Sequence, residues 1–126
     1  MVMGSFGFAI AVLVLAGVVV GSVAGIFILG STCSDQKIPS GDPFFDTVGR
    51  MLVDLKQNHE YSYAVLSEGS ATAYGRAFCS SLLSWSDSTA CLQYAGDNIW
   101  AICGNAIDAQ VTLAGCYIRY SQNNFF

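Results

Sequence analysis

Few side chains here could do chemistry, and most of them are cysteines: Cys33, Cys79, Cys91, Cys103 and Cys116. In the run "FCSSLLSWSDSTACLQY", residues 78–94, Cys79 and Cys91 bracket a string of serines. Thiols at this density can bind zinc, attack as nucleophiles or cross-link. Zinc needs ligands paired at short spacing. No C-x-x-C pair exists, and the single histidine, His59, has no cysteine nearby, so no metal and no cofactor is expected. Nucleophilic work needs a thiol whose pKa is depressed by a neighbouring base or cation. Nothing close to Cys79 in sequence supplies one. His59, in "KQNHEYS", reads as a surface or capping residue. Asp42 and Asp46 fall at a helix start, where the helix dipole accounts for them. No serine sits in a nucleophile elbow and no glycine-rich loop is placed to cradle phosphate. The chain is therefore not expected to be an enzyme. Cross-linking is left, and it fits the staples that a compact exported domain commonly needs.

The charge pattern agrees. The chain has 126 residues, a charged fraction of 11% and a formal net charge of −4. Its five basic residues are scattered, so the basic footprint of a nucleic-acid binder is absent. Residues 1–34 hold no Lys, Arg, Asp or Glu. Ser22 and Ala24 in "GSVAG" supply the small residues of a signal-peptide cut after Ala24. Residues 1–24 are expected to be that signal peptide, with 25–126 as one mature, extracellular domain. An uncleaved membrane anchor is the alternative, because Phe6 to Leu29 is long enough to span. With the signal removed, no stable membrane association is expected.

The elements that must position these residues follow from periodicity. "GIFIL" reads as the first strand of the mature domain. Asp42 is a natural N-cap ahead of Pro43, and Phe44, Val48, Met51, Leu52 and Leu55 recur at helical spacing. "YSYAVL" and "ATAYGRAFCS" read as strands joined by the turn "EGS". Gly75 within the second marks a bulge or a close backbone approach. A second helix is expected from an N-cap at Ser86 to a stop at Gly104, with Cys91, Ala95, Ile99 and Ile102 on one side. "DAQVTLAG" and "CYIRYS" form two strands around a tight turn at Ala114-Gly115, with Tyr117 and Tyr120 on opposite faces. The order strand, helix, strand, strand, helix, strand, strand predicts an α+β domain. An antiparallel sheet of about five strands would carry both helices on one face, stapled by disulfides.

The runs "CSDQKIPSGDPF", "MLVDLKQN", "TAYGRAFC", "SDSTACL", "ICGNAI" and "CYIRYSQNNF" resemble the ginkbilobin-like antifungal proteins of seeds. They also resemble the extracellular module of plant cysteine-rich receptor-like kinases. The resemblance covers about residues 24–126. It implies six cysteines with a C-x8-C-x2-C core. Counting from Cys79, the second position of that core is Ser88 and the third is Cys91. The implied bridges are Cys33–Cys103, Cys91–Cys116 and one from Cys79 to position 88, which a serine here prevents. In the chain-entropy picture that short-loop bridge is worth roughly 2–3 kcal/mol. Cys79 is then a free thiol, either buried and inert or open to a disulfide-linked dimer.

The resemblance further implies a secreted plant defence lectin that binds mannose, its partner being carbohydrate such as fungal cell-wall mannan. The family's polar trio is an Asn after the first cysteine, an Arg seven residues after the fifth and a Glu five residues after the last. Those positions are Ser34, Gln110 and Ser121, and all three differ. Charge-assisted hydrogen bonds contribute more than neutral ones. Losing two charged partners is expected to weaken mannose binding by roughly tenfold to several hundredfold. Asn105, Asp108 and Gln122 lie near enough in sequence to rebuild a polar site. The alternative is a protein-interaction or seed-storage-like module of the same fold without the sugar site.

Overall fold

A computed structural model describes residues 27–57 and 61–126. The signal or anchor segment at 1–24, the start of the mature domain at 25 and the reading of His59 lie outside them. Five strands and two helices follow in the expected order: β1 (Ile28–Cys33), α1 (Phe44–Lys56), β2 (Ser62–Glu68), β3 (Ala71–Cys79), α2 (Trp85–Cys103), β4 (Asp108–Leu113) and β5 (Cys116–Ser121). The strands make one sheet in the order β1-β4-β5-β3-β2, antiparallel at each pairing.

Both helices lie on one face of that sheet, α1 over β2 and β3, α2 chiefly over β4 and β5. The sequence pattern explains the division. Alternation along β3, β4 and β5 turns Ala73, Ala77, Ala109, Val111, Leu113, Ile118 and Tyr120 toward the helices, where all are buried. Phe44, Val48, Met51 and Leu55 come down from α1, and Leu92, Ala95 and Ile99 from α2. Small residues on β3 leave room for large ones on α1. Gly75 shows how tight the fit is: a Cβ there would sit 2.7 Å from Leu55 Cδ1 and from Met51 Cε. The glycine marks a close helix approach and no bulge, since its pairing register with β2 and β5 is unbroken. The two helices meet where the stem of Lys56 crosses Gly96 and its Nζ reaches Asp97 Oδ1 at 2.7 Å.

Three local expectations shift. The first strand is Ile28–Cys33, beginning three residues later than "GIFIL" and ending at the cysteine. Its sequence has weak strand preference, with a bulge between Ile28 and Gly30, and it is held by the ladder to β4. Helix α1 starts at Phe44, with Pro43 just outside it. Asp42 still caps it, its carboxylate accepting from the Phe44 N–H at 2.9 Å. Helix α2 is capped by Ser84, not Ser86: the Ser84 backbone is extended and its hydroxyl accepts from the Asp87 N–H at 3.1 Å. A serine followed three residues on by an acid is the stronger signal of the two. Gly104 ends α2 at φ +64°, as expected.

At the centre, Tyr120 is fully buried. Its hydroxyl donates to the Ala106 carbonyl at 2.6 Å and receives the Trp100 indole N–H at 3.3 Å. Burial pushes its pKa up to about 12, against a smaller opposing effect of Trp100. Tyr117 lies on the other face of β5, half-buried, so the two tyrosines do point opposite ways.

Candidate functional site

Two disulfides form, Cys33–Cys103 and Cys91–Cys116, spanning 70 and 25 residues. Cys79 is free. It ends β3, half-buried, with its Sγ 3.8 Å from the Ser88 carbonyl oxygen. Burial raises its pKa, and the Ser88 hydroxyl opposes this only in part. The thiol is therefore held in its weakly nucleophilic form. It lines an open cavity of about 560 Å³ with Tyr61, Phe78, Leu83 and Trp85. Ser88, the position at which the resemblance implies a sixth cysteine, is 3% exposed.

The Cys33–Cys103 bridge anchors the end of β1 onto the end of α2, next to the start of β4. Beside it opens a second cavity of about 260 Å³, lined by Thr32, Cys33, Ser34, Asp108, Gln110 and Arg119. Ser34 joins β1 to β4: its N–H donates to the Asp108 carbonyl at 2.9 Å, and its hydroxyl accepts from the Asp108 N–H at 3.2 Å. The same hydroxyl donates to the Gln36 carbonyl at 2.9 Å. Gln110 accepts from the Tyr117 hydroxyl through Oε1 at 3.3 Å. Asp108 and Arg119 form a two-pronged ion pair, Oδ1 to Nε at 3.2 Å and Oδ2 to Nη2 at 2.9 Å. The Asp108 hydrogen bonds and charge hold the guanidinium above its usual pKa. Both side chains keep a quarter to a third of their surface in solvent.

Of the three residues expected at a sugar site, Ser34 and Gln110 thus meet and Ser121 does not join them. Ser121 is 1% exposed, and its hydroxyl accepts from the Asn123 N–H at 3.0 Å. Of its expected neighbours, Asp108 lines the cavity. Asn105 instead donates to the Ile38 carbonyl and faces a separate depression near Pro39 and Asp42. Gln122 pairs through its backbone with Ile107. Arg119 was missed by sequence reasoning. Its signal was present: the tight turn at Ala114-Gly115 sets Gln110 opposite Arg119.

The outer face of the sheet also carries an array of rings and guanidinium groups. Tyr61 stacks on Phe78 and Phe78 on Tyr117, with centroids 5.6 and 5.2 Å apart. Arg76 lies 5.9 Å from the Tyr63 and Tyr117 rings and 5.0 Å from that of Phe125. Phe125 caps Arg119 at 4.0 Å. Cation–π contacts of this kind fix a guanidinium plane.

The sequence profile of the salt stress response/antifungal family matches residues 32–123. The chain belongs to this family. An antifungal protein ginkbilobin-like protein 1 of Picea sitchensis is 50% identical, over 97% of this chain and 98% of that one. Antifungal protein ginkbilobin-2 of Ginkgo biloba is 42% identical, over 96% and 91%. Among solved structures, the tandem DUF26 ectodomain of the Arabidopsis thaliana cysteine-rich receptor-like protein PDLP8 superposes with a TM-score of 0.72 at 25% identity. That likeness covers 78% of this chain and 50% of the tandem one, so this member of the family spans half of that ectodomain. No described helix is long and apolar enough to cross a membrane.

Proposed function

We propose that this protein is a secreted plant defence protein of antifungal type that acts by binding carbohydrate. Its role is recognition, not catalysis. The observation that carries the reading is the small polar cavity beside the Cys33–Cys103 bridge, where Ser34, just past β1, and Gln110, on β4, converge on a charged pair. Sugar hydroxyls donate and accept at once, and a carboxylate, a guanidinium, an amide and a hydroxyl can serve both needs. At about 260 Å³ the cavity falls just below the range of about 300–1,000 Å³ typical of drug-sized ligands, which suits a single sugar ring. The antifungal names of the ginkgo and spruce relatives support the physiological side. Residues 1–24 would direct export and be removed in its course.

A glycan array followed by titration calorimetry with methyl α-D-mannopyranoside tests the reading. Binding of a mannose-type sugar in the millimolar range or tighter is expected. A folded protein that binds no glycan at millimolar concentration would refute it. A second reading, a non-lectin protein-interaction or seed-storage-like module, is favoured by a different observation. Tyr61, Tyr63, Val65, Phe78 and Phe126 all lie between 39% and 57% exposed. An array without hits, together with protein partners that compete for that aromatic face, would point to it.

A further inference from the structure

We infer that the carboxylate and guanidinium that grip the ligand in this chain are Asp108 and Arg119, and that they select a neutral vicinal diol of a hexopyranose. This rests on the carbohydrate-binding reading above. The β4–β5 ladder supplies the geometric reason. Its register sets Gln110 opposite Arg119 and Asp108 opposite Ser121. Opposed side chains on one face of an antiparallel pair lie about 5 Å apart. For Gln110 and Arg119, which both line the cavity, a charge at either position therefore reaches nearly the same space, whereas Ser121 is buried outside it and only Asp108 of the second pair faces in. Gln110 and Ser121 carry no charge, and their cross-strand partners carry one each, of opposite sign.

Both partners face the cavity, since each lines it and keeps part of its surface exposed. Their mutual bonds use Nε and one Nη of the arginine and one lone pair on each carboxylate oxygen. Beyond these two bonds the guanidinium keeps further N–H groups, which the Tyr117 hydroxyl shares in part, and the carboxylate keeps a second lone pair on each oxygen. Adjacent hydroxyls on a sugar ring match that pattern, one donating to Asp108 and its neighbour accepting from Arg119. The Gln110 amide nitrogen adds a donor. Ser34 acts through Asp108: its hydroxyl is committed to the Gln36 carbonyl and the Asp108 N–H, so it fixes the backbone from which the carboxylate projects. Phe125, stacked on the guanidinium at 4.0 Å, positions Arg119. Because the pair is already neutral overall, a uronate or sugar phosphate would meet the Asp108 charge with Arg119 partly spent.

The test titrates methyl α-D-mannopyranoside and mannuronic acid into wild type, Asp108→Asn, Arg119→Gln and the double variant Asp108→Asn/Arg119→Gln. The double variant leaves a neutral, hydrogen-bonding cross-strand pair and keeps the fold measurable by its melting temperature. Each single change is expected to weaken mannoside binding about tenfold or more, and the double to remove it while the protein stays folded. Arg119→Lys, which keeps the charge and loses the fork, is expected to lose most of the affinity as well. Mannuronic acid is expected to bind wild type at least about tenfold more weakly than the mannoside. Wild type that binds the mannoside while the folded variants bind it equally well would overturn the assignment and leave the carbohydrate reading standing. Equal binding of the acidic sugar would overturn the ligand class. Wild type that binds no sugar would end the carbohydrate reading itself, a result distinct from the other two.

Discussion

Ser88 shows how much a single atom type decides. It is buried beside the free thiol of Cys79, in a helix whose first turn is capped and ordered by Ser84. The thiol thus lies within contact of the Ser88 backbone. Ser88→Cys is expected to close it under oxidising refolding and to add about 2–3 kcal/mol, the loop-entropy value for so short a span. For a domain of this size that corresponds to a rise in melting temperature of about 10–20 °C. Calorimetry of the variant, compared with Ser88→Ala as a bridge-free control, checks it. No gain in oxidised protein would mean that the surrounding backbone rejects the bridge. Position 88 is singled out by the cysteine spacing that the family resemblance implies. The half-burial of Cys79 was not legible, because it depends on which loops fold over the end of β3.

Between elements, the contact of α1 with β3 is the least forgiving. Large residues on the helix fill the trough left by Ala73, Gly75 and Ala77. Gly75→Ala places a methyl 2.7 Å from Leu55 Cδ1 and Met51 Cε, so one side chain must leave its rotamer or the helix must lift. Overpacking of this sort is expected to cost about 1–3 kcal/mol, read as a lower urea midpoint at unchanged slope. Pairing it with Met51→Ala is expected to recover part of the loss, which a purely backbone effect of the glycine would not. Both helices, four of the five strands and the hairpin at Ala114-Gly115 were legible, since each has a clear period and clear stops. Strand β1 was not placed correctly. Nearly all of it is exposed, so no inward-facing pattern marks it, and its position comes from pairing with β4. The polar cavity was half legible for the same reason. Ser34 and Gln110 are singled out only by the family resemblance, whereas Arg119 enters once the β4–β5 register is counted back from the turn.

At the scale of the whole molecule, the long-range bridge from Cys33 to Cys103 ties an edge strand to the far end of a helix. On the loop-entropy argument it contributes about 4 kcal/mol, and the Cys91–Cys116 bridge about as much. The Cys33–Cys103 bridge also borders the cavity, and Ser34 follows it directly. Mild reduction is therefore expected to weaken sugar binding before the core melts. Parallel calorimetric titration and far-ultraviolet dichroism across a dithiothreitol series would show affinity lost at lower reductant than helix content. Coincident loss of both would mean that the bridge supports only the fold. The consequence reaches past stability. A recognition site assembled by a cystine cannot be completed inside the reducing cytosol of the cell that makes it. On the secreted reading proposed above, oxidation in the secretory lumen would complete the site, so that the cytosol of the producing cell never holds the finished form.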